Sequence, residues 1–250
     1  MITYHITANG FDSVIRYTDA EIAVLDRLLD KLVFIRENEK RDVRTIVFVS
    51  GPPGAGKSTL SLSLEKRAGD RKLPFSVQCL GLDGFHKRAD ELRGAKLIYN
   101  GRNISLSEIK GAPETFEEKA FVERLIRAKY EKAVSWPVYD RRIHDVSDRE
   151  IQVTGEILIV EGNWLMLSGG WSEGQKASDL TVSVFAGERV LKERLIARKI
   201  LGGKTRDEAV KWYELVDGPN VRRYYDQSGE SMISVVEDEN GIRIEKDKSL

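Results

Sequence analysis

The run Gly51-Pro52-Pro53-Gly54-Ala55-Gly56-Lys57-Ser58 constrains this chain more than any other stretch of it. It has the spelling G-x-x-x-x-G-K-[ST], in which backbone N–H groups converge on an anion and glycines keep side chains out of the way. Such a loop works only between a buried strand and a helix. Thr45-Ile46-Val47-Phe48-Val49-Ser50 before it is apolar and β-branched, and Thr59 onward reads as a helix whose positive end faces the anion. The loop from Gly51 through Gly54, Ala55 and Gly56 to Thr59, with Pro52 and Pro53 shaping its turn, is therefore expected to cradle nucleotide phosphates. Lys57 would reach the β- and γ-phosphates, and the Ser58 hydroxyl would sit on Mg²⁺.

Strands and helices alternate after the loop. Strands are expected at 45–50, 75–80, 134–139, 157–161 and 180–185, and helices at 57–68, 115–131, 187–201 and 205–227, with Pro219 kinking or breaking the last. Met232–Val236 and Ile242–Ile244 flank Asn240-Gly241 as a hairpin. Alternation of this kind implies a mostly parallel sheet covered on both faces, and together with the phosphate loop the expected fold is the three-layer α/β/α of a P-loop NTPase. A second pair, Asn100-Gly101, marks a small inserted hairpin inside a substrate-side excursion or lid over 84–114. Apolar residues at Ile22, Leu25, Leu29 and Leu32 give a helix from Asp19 to about Arg36, preceded by a short strand or arm. The expected organisation is one domain over 1–250, with an N-terminal helical extension over 1–44 and a lid over 187–204.

Carboxylates at strand ends supply the next constraint. Glu161 closes the apolar run Ile157–Val160, at the sheet edge where open α/β sheets bind ligands, and is expected to hold Mg²⁺ directly or through water. Asp83 ends the second strand, with Gly84 allowing a sharp turn; a carboxylate there can take the proton of an attacking hydroxyl. Arg194 and Arg198 are four residues apart and share a helix face, as arginines that neutralise a transferring phosphoryl group would, although a solvated basic face is the ordinary alternative. His86 and His144 are too scattered for a metal site and are candidate substrate contacts, a structural place being an equal alternative for His86. Tyr139, in Trp136-Pro137-Val138-Tyr139-Asp140, suits small-molecule recognition and suits a core equally well.

Composition excludes other classes. Lys+Arg and Asp+Glu both number 40, so no basic excess marks a nucleic-acid binder. The single cysteine, Cys79, allows no internal disulfide and fits a reducing compartment. No apolar stretch is long enough for a bilayer and no signal-peptide core is present, so a cytoplasmic protein without a membrane partner is expected. A homodimer is the default assembly.

Taken in order, the loop, Asp83-Gly84-Phe85-His86, Lys110-Gly111-Ala112-Pro113-Glu114-Thr115-Phe116, Pro137–Asp140, Glu161-Gly162-Asn163 and Arg194 to Lys199 resemble one group. It is the P-loop kinases that include uridine kinase, phosphoribulokinase and bacterial pantothenate kinase, with fructose-transport-type sugar kinases among the relatives. The resemblance runs from about Thr45 to about Val236 and implies ATP, Mg²⁺ and a small-molecule acceptor with a hydroxyl, a nucleoside, a pantothenate-like acid or a sugar. It also implies a base at Asp83, a lid carrying Arg194 and Arg198, and a substrate contact at His144; Asn220 matches an asparagine of the sugar-kinase-like members. Arg141-Arg142, the long stretch between Asp83 and Lys110, and the N-terminal helix depart from the pattern. The rival reading is a P-loop ATPase acting as a nucleotide-dependent regulatory switch. A GTPase switch would carry Asn-Lys-x-Asp, which this chain lacks.

Overall fold

The computed structural model describes residues 1–8, 11–39, 42–99, 101–140 and 142–249. Strands β1 (Ile2–Ala8) and β2 (Phe11–Tyr17) form an antiparallel hairpin, and a capping box of Thr18 and Glu21 starts α1 (Asp19–Asn38). The arm expected before this helix is thus a full hairpin. Tyr4 donates to Asp70 at 2.9 Å and Tyr17 to Ser63 at 2.9 Å, which docks the hairpin on the helix after the phosphate loop.

The central sheet grows from β3 (Thr45–Ser50), whose six residues are all buried, followed by α2 (Lys57–Asp70) and β4 (Val77–Gly81). A substrate-side excursion follows, with α3 (Ala89–Gly94) and the hairpin β5 (Lys96–Tyr99) and β6 (Arg102–Ser105). It has a small core of its own around Leu92, Ile104 and Ile109. Asn100 of the expected turn and Arg141 lie outside the described residues. Then come α4 (Glu118–Tyr130), β7 (Ser135–Asp140), β8 (Asp145–Gln152), β9 (Ile157–Gly162), α5 (Trp171–Ala177) and β10 (Leu180–Ala186). The chain ends with α6 (Glu188–Leu201), α7 (Arg206–Trp212), α8 (Gly218–Gln227), β11 (Ile233–Asp238) and β12 (Gly241–Asp247).

Six strands lie in the order β12-β11-β10-β3-β9-β4. All pairings are parallel except β11 with β12, the hairpin expected at Asn240-Gly241. The three layers follow from the two-residue period of a strand. Val47 and Val49 face a core shared with Leu28 and Leu29 of α1 and Leu60 and Leu64 of α2. Ile46 and Phe48 face the other core, with Phe121 and Leu125 of α4. Each side is wholly buried, the arrangement a continuous β-branched run requires.

One expectation changes, and the break expected at Pro219 takes a specific form. The strand at 134–139 exists but leaves the main sheet: β7 pairs only with β8, antiparallel, in a two-stranded ribbon. Pro137 cannot donate to a second neighbour, and the fully buried Trp136 anchors the ribbon by donating to Gly81 O at 2.9 Å. The helix over 205–227 is interrupted by a π turn at Tyr213–Asp217, just before Pro219 in the first turn of α8. The wider turn absorbs the missing proline donor while the backbone stays helical. No described helix is long and apolar enough to cross a membrane.

Candidate active site

The phosphate loop has the backbone that its glycines permit. Gly54 and Gly56 sit at φ +84° and +92°, in the left-handed region, and Gly56 caps α2. A Cβ on Gly51 would stand 2.5 Å from Val184 O of the adjoining strand. Lys57 is buried and donates from Nζ to Pro52 O at 3.0 Å, folded back over the loop it belongs to. Ser58 donates from Oγ to Glu161 Oε1 at 2.9 Å, so the first turn of α2 meets the end of β9. β9 is registered beside β3, with Ser50 opposite Gly162, and this register puts Glu161 level with the loop.

Asp83 lies on a 3₁₀ turn, Leu82–Phe85, that follows β4. Gly84 has no room for a side chain, since a Cβ there would stand 2.0 Å from Pro137 O. His86 is buried, stacks on Phe116 at 3.9 Å between centroids, and has Nδ1 3.2 Å from Thr115 O. A carbonyl only accepts, so Nδ1 carries the hydrogen and Nε2 faces Asp83 at 4.0 Å. The two readings of His86 are therefore compatible: it is fixed in the fold and it also faces the carboxylate.

Beyond Asp83 the β7–β8 ribbon and the inserted excursion close one end of the site. Lys110 Nζ lies 5.1 Å above the Tyr139 ring and donates to His144 O at 2.7 Å. His144, at φ +52°, meets Lys110 through its backbone carbonyl. Arg142 pairs with Asp140 at 2.7 Å, and this pairing pulls the Asp140 carboxyl down to about 2.

At the other end, α6 is rooted on the loop. Leu191 and Leu195 are fully buried, with Leu195 Cγ 3.2 Å from where a Gly54 Cβ would stand. Arg194 Nη2 donates to Glu237 Oε1 at 2.7 Å, and Nη1 to Glu237 Oε2 at 3.2 Å and Gly54 O at 3.3 Å. Arg198, one turn on, faces Asp217, whose burial raises its carboxyl pKa against the pull of Lys199 and Arg198.

These groups line one cleft of about 1620 Å³. It brings together Pro53, Gly54, Gly56, Lys57, Ser58 and Thr59 of the loop with Asp83, Glu161, Arg194 and Arg198, and with His86, Tyr139 and His144. Gly51, Pro52 and Ala55 are buried and stay outside it, shaping the loop from behind. The cleft is also lined by residues outside the candidate set, among them Lys110, Asp217 and Glu237, and by Asn220, which matches an asparagine of the sugar-kinase-like members. Asn220 is 4% exposed yet lines the cleft, and its Nδ2 is 3.6 Å from the Cβ position of Gly111.

The donor set at Ser58 and Glu161 is all oxygen, one hydroxyl and one carboxylate. That fits Mg²⁺, which is commonly held by one or two carboxylates together with substrate phosphates and water. Among the described residues no group of three or more His, Cys, Asp or Glu forms a self-sufficient metal cage.

No protein-family model matches the chain. It is 37% identical to the uncharacterized protein YggC of Escherichia coli K12 over 238 residues, 94% of this chain and 96% of that one. A Schizosaccharomyces pombe protein provisionally named uridine kinase is 28% identical over 198 residues, 76% of this chain and 81% of its own. A crystal structure from Silicibacter sp. TM1040, provisionally called a fructose transport system kinase, superposes with a TM-score of 0.71 at 28% identity. The match covers 83% of this chain and 97% of that one.

Proposed function

Because the chain belongs to the YggC family, within the uridine kinase-like group of P-loop kinases, we propose that it moves the γ-phosphoryl group of ATP onto a hydroxyl of a small metabolite. The observation that carries this reading is the convergence of Asp83, the Ser58–Glu161 pair and the phosphate loop on one cleft. A switch ATPase needs the last two and has no use for a carboxylate set toward the end of the cleft that Lys110, Tyr139 and His144 line.

Each residue has a role that its surroundings support. Loop amides and Lys57 hold the β- and γ-phosphates, which would draw Lys57 Nζ away from Pro52 O. Ser58 and Glu161 would hold Mg²⁺, which when bound offsets charge on the phosphate oxygens. Asp83 accepts the proton of the acceptor hydroxyl as that oxygen attacks phosphorus and ADP leaves, while the stacked ring of His86 forms the wall beside it. Arg198 neutralises the phosphoryl group in transit, and a closing lid would exclude water.

The acceptor end favours a hydroxyl compound that also carries an acid. Lys110, which lies over the Tyr139 ring and donates to His144 O, brings positive charge to that end of the cleft. A pantothenate-like or sugar acid therefore suits it better than a neutral nucleoside.

Screening a panel of nucleosides, sugars and hydroxy acids for ATP-dependent phosphorylation tests the reading. One acceptor should stimulate ATP consumption strongly over a slow background. Hydrolysis that no acceptor stimulates would favour the switch. In the same assay Asp83→Asn should bind Mg-ATP normally and lose transfer about 10²- to 10⁴-fold; retention of most of the rate would put the base elsewhere.

A further inference from the structure

We propose that Glu237 is the positioning residue for Arg194, holding its guanidinium against the phosphate loop so that the loop is shaped before nucleotide arrives. The inference rests on the kinase reading above. Glu237 stands near the end of β11, with Ala186 opposite it in β10, at the carboxyl edge of the sheet. Alternation along the strand puts it on the same side as Val235, which is wholly buried in the core beneath the loop.

Its carboxylate touches the loop closely. Oε2 lies 2.3 Å from where a Cβ of Gly56 would be, a place only glycine leaves open. Both of its oxygens accept from Arg194, at 2.7 and 3.2 Å, the planar fork that guanidinium and carboxylate form together. Arg194 Nη1 also donates to Gly54 O at 3.3 Å. One chain of contacts thus runs from β11 through Glu237 and Arg194 to both left-handed glycines of the loop. Leu195, the next residue of α6, packs on Gly54 as well. Arg194 accordingly belongs to the fixed wall of the site.

Electrostatics alone predicts the opposite of positioning, and this gives the test its sign. A carboxylate beside a triphosphate site repels the ligand, so removing its charge should tighten binding. If Glu237 works by holding Arg194, removing the charge should weaken it. Glu237→Gln keeps the shape but sets an amide N–H₂ against a guanidinium donor, which breaks the fork.

The experiment is a double-mutant cycle on the full chain, with E237Q, R194K and both together, read as the Mg-ATP dissociation constant by calorimetry. E237Q is expected to weaken Mg-ATP about tenfold, the size of one lost charge-assisted hydrogen bond, with an unchanged unfolding midpoint. In the R194K background, where the fork is already gone, E237Q should leave affinity unchanged or raise it. Tighter binding by E237Q alone, or equal weakening in both backgrounds, overturns the proposal. Failure of the unmodified protein to bind Mg-ATP would sink the kinase reading itself, a result distinct from either.

Discussion

Ser58 Oγ and Glu161 Oε1 share a 2.9 Å hydrogen bond across 103 residues of sequence. The bond joins the start of the helix after the phosphate loop to the end of the neighbouring parallel strand. It holds a hydroxyl and a carboxylate side by side on the wall of the cleft.

Weakening that pair should appear first in the metal dependence. Glu161→Gln keeps the hydrogen bond to Ser58 possible but removes the charge. The Mg²⁺ concentration for half-maximal ATP turnover is expected to rise about 10- to 100-fold, the usual cost of disturbing a metal's protein partners. Titrating turnover against Mg²⁺ at fixed ATP checks this. An unshifted midpoint would remove Glu161 from the metal site.

Lys57 is buried, and a loop carbonyl 3.0 Å away holds its ammonium over the loop. Lys57→Ala should lower kcat/KM by at least about 10²-fold, as losing a preorganised electrostatic contact to a transition state does. Steady-state kinetics with a circular dichroism control reads it. Near-normal turnover would sink the phosphate-loop assignment.

Gly84 decides whether Asp83 can be where it is. The nearest atoms to a Cβ there are Pro137 O at 2.0 Å and Pro137 C at 2.5 Å, both backbone, so the β7–β8 ribbon would have to move. Gly84→Ala should cost about 3 kcal/mol and lower the melting midpoint by roughly 6–12 °C. Transfer should fall with it while Mg-ATP binding at the far side of the cleft survives at low temperature. Thermal unfolding and calorimetry separate the two effects.

Asp217 gives a pH-dependent prediction. Burial raises its folded-state carboxyl pKa above the ordinary carboxyl value, against the pull of Lys199 and Arg198. Between those two values the folded protein holds a proton that the unfolded chain has lost. Stability from this group is therefore full at low pH and falls as pH rises through the raised value. Asp217→Asn, which does not titrate, should gain most at neutral pH, by about 2–4 °C for a change near 1 kcal/mol. The gain should vanish near pH 3. Melting curves from pH 3 to 8 test it, and a gain that grows toward acid would contradict the burial account.

Much of this site could be read from the residues because its chemistry is spelled locally. The glycines at 51, 54 and 56, the strand before them and the carboxylates at strand ends each state their requirement within a few residues. The same holds for the last hairpin, where Asn240-Gly241 sits between two apolar runs and forms the turn between β11 and β12. Long-range partnership was harder to read. Trp136–Tyr139 has the same apolar run whether it fills a central sheet or lies on a buried tryptophan as a side ribbon, and only the pairing with the polar strand β8 decides it. Lys110 stands in the motif Lys110–Phe116, but nothing near it in the sequence says that its ammonium comes to lie over the Tyr139 ring. Arg194 and Glu237 are 43 residues apart, and no periodicity links them.

The position of β3 between β9 and β10 has a consequence for biosynthesis. The strand that carries the phosphate loop is made early, yet Thr45 pairs with Ile157 and Val47 with Leu180. At about 5–20 residues per second, the ribosome needs roughly ten seconds to supply those neighbours. Throughout that interval two edges of a strand with four consecutive apolar residues, Ile46–Val49, are uncovered. A chaperone that shields such edges would have its strongest claim on this protein during that window, before any nucleotide site exists.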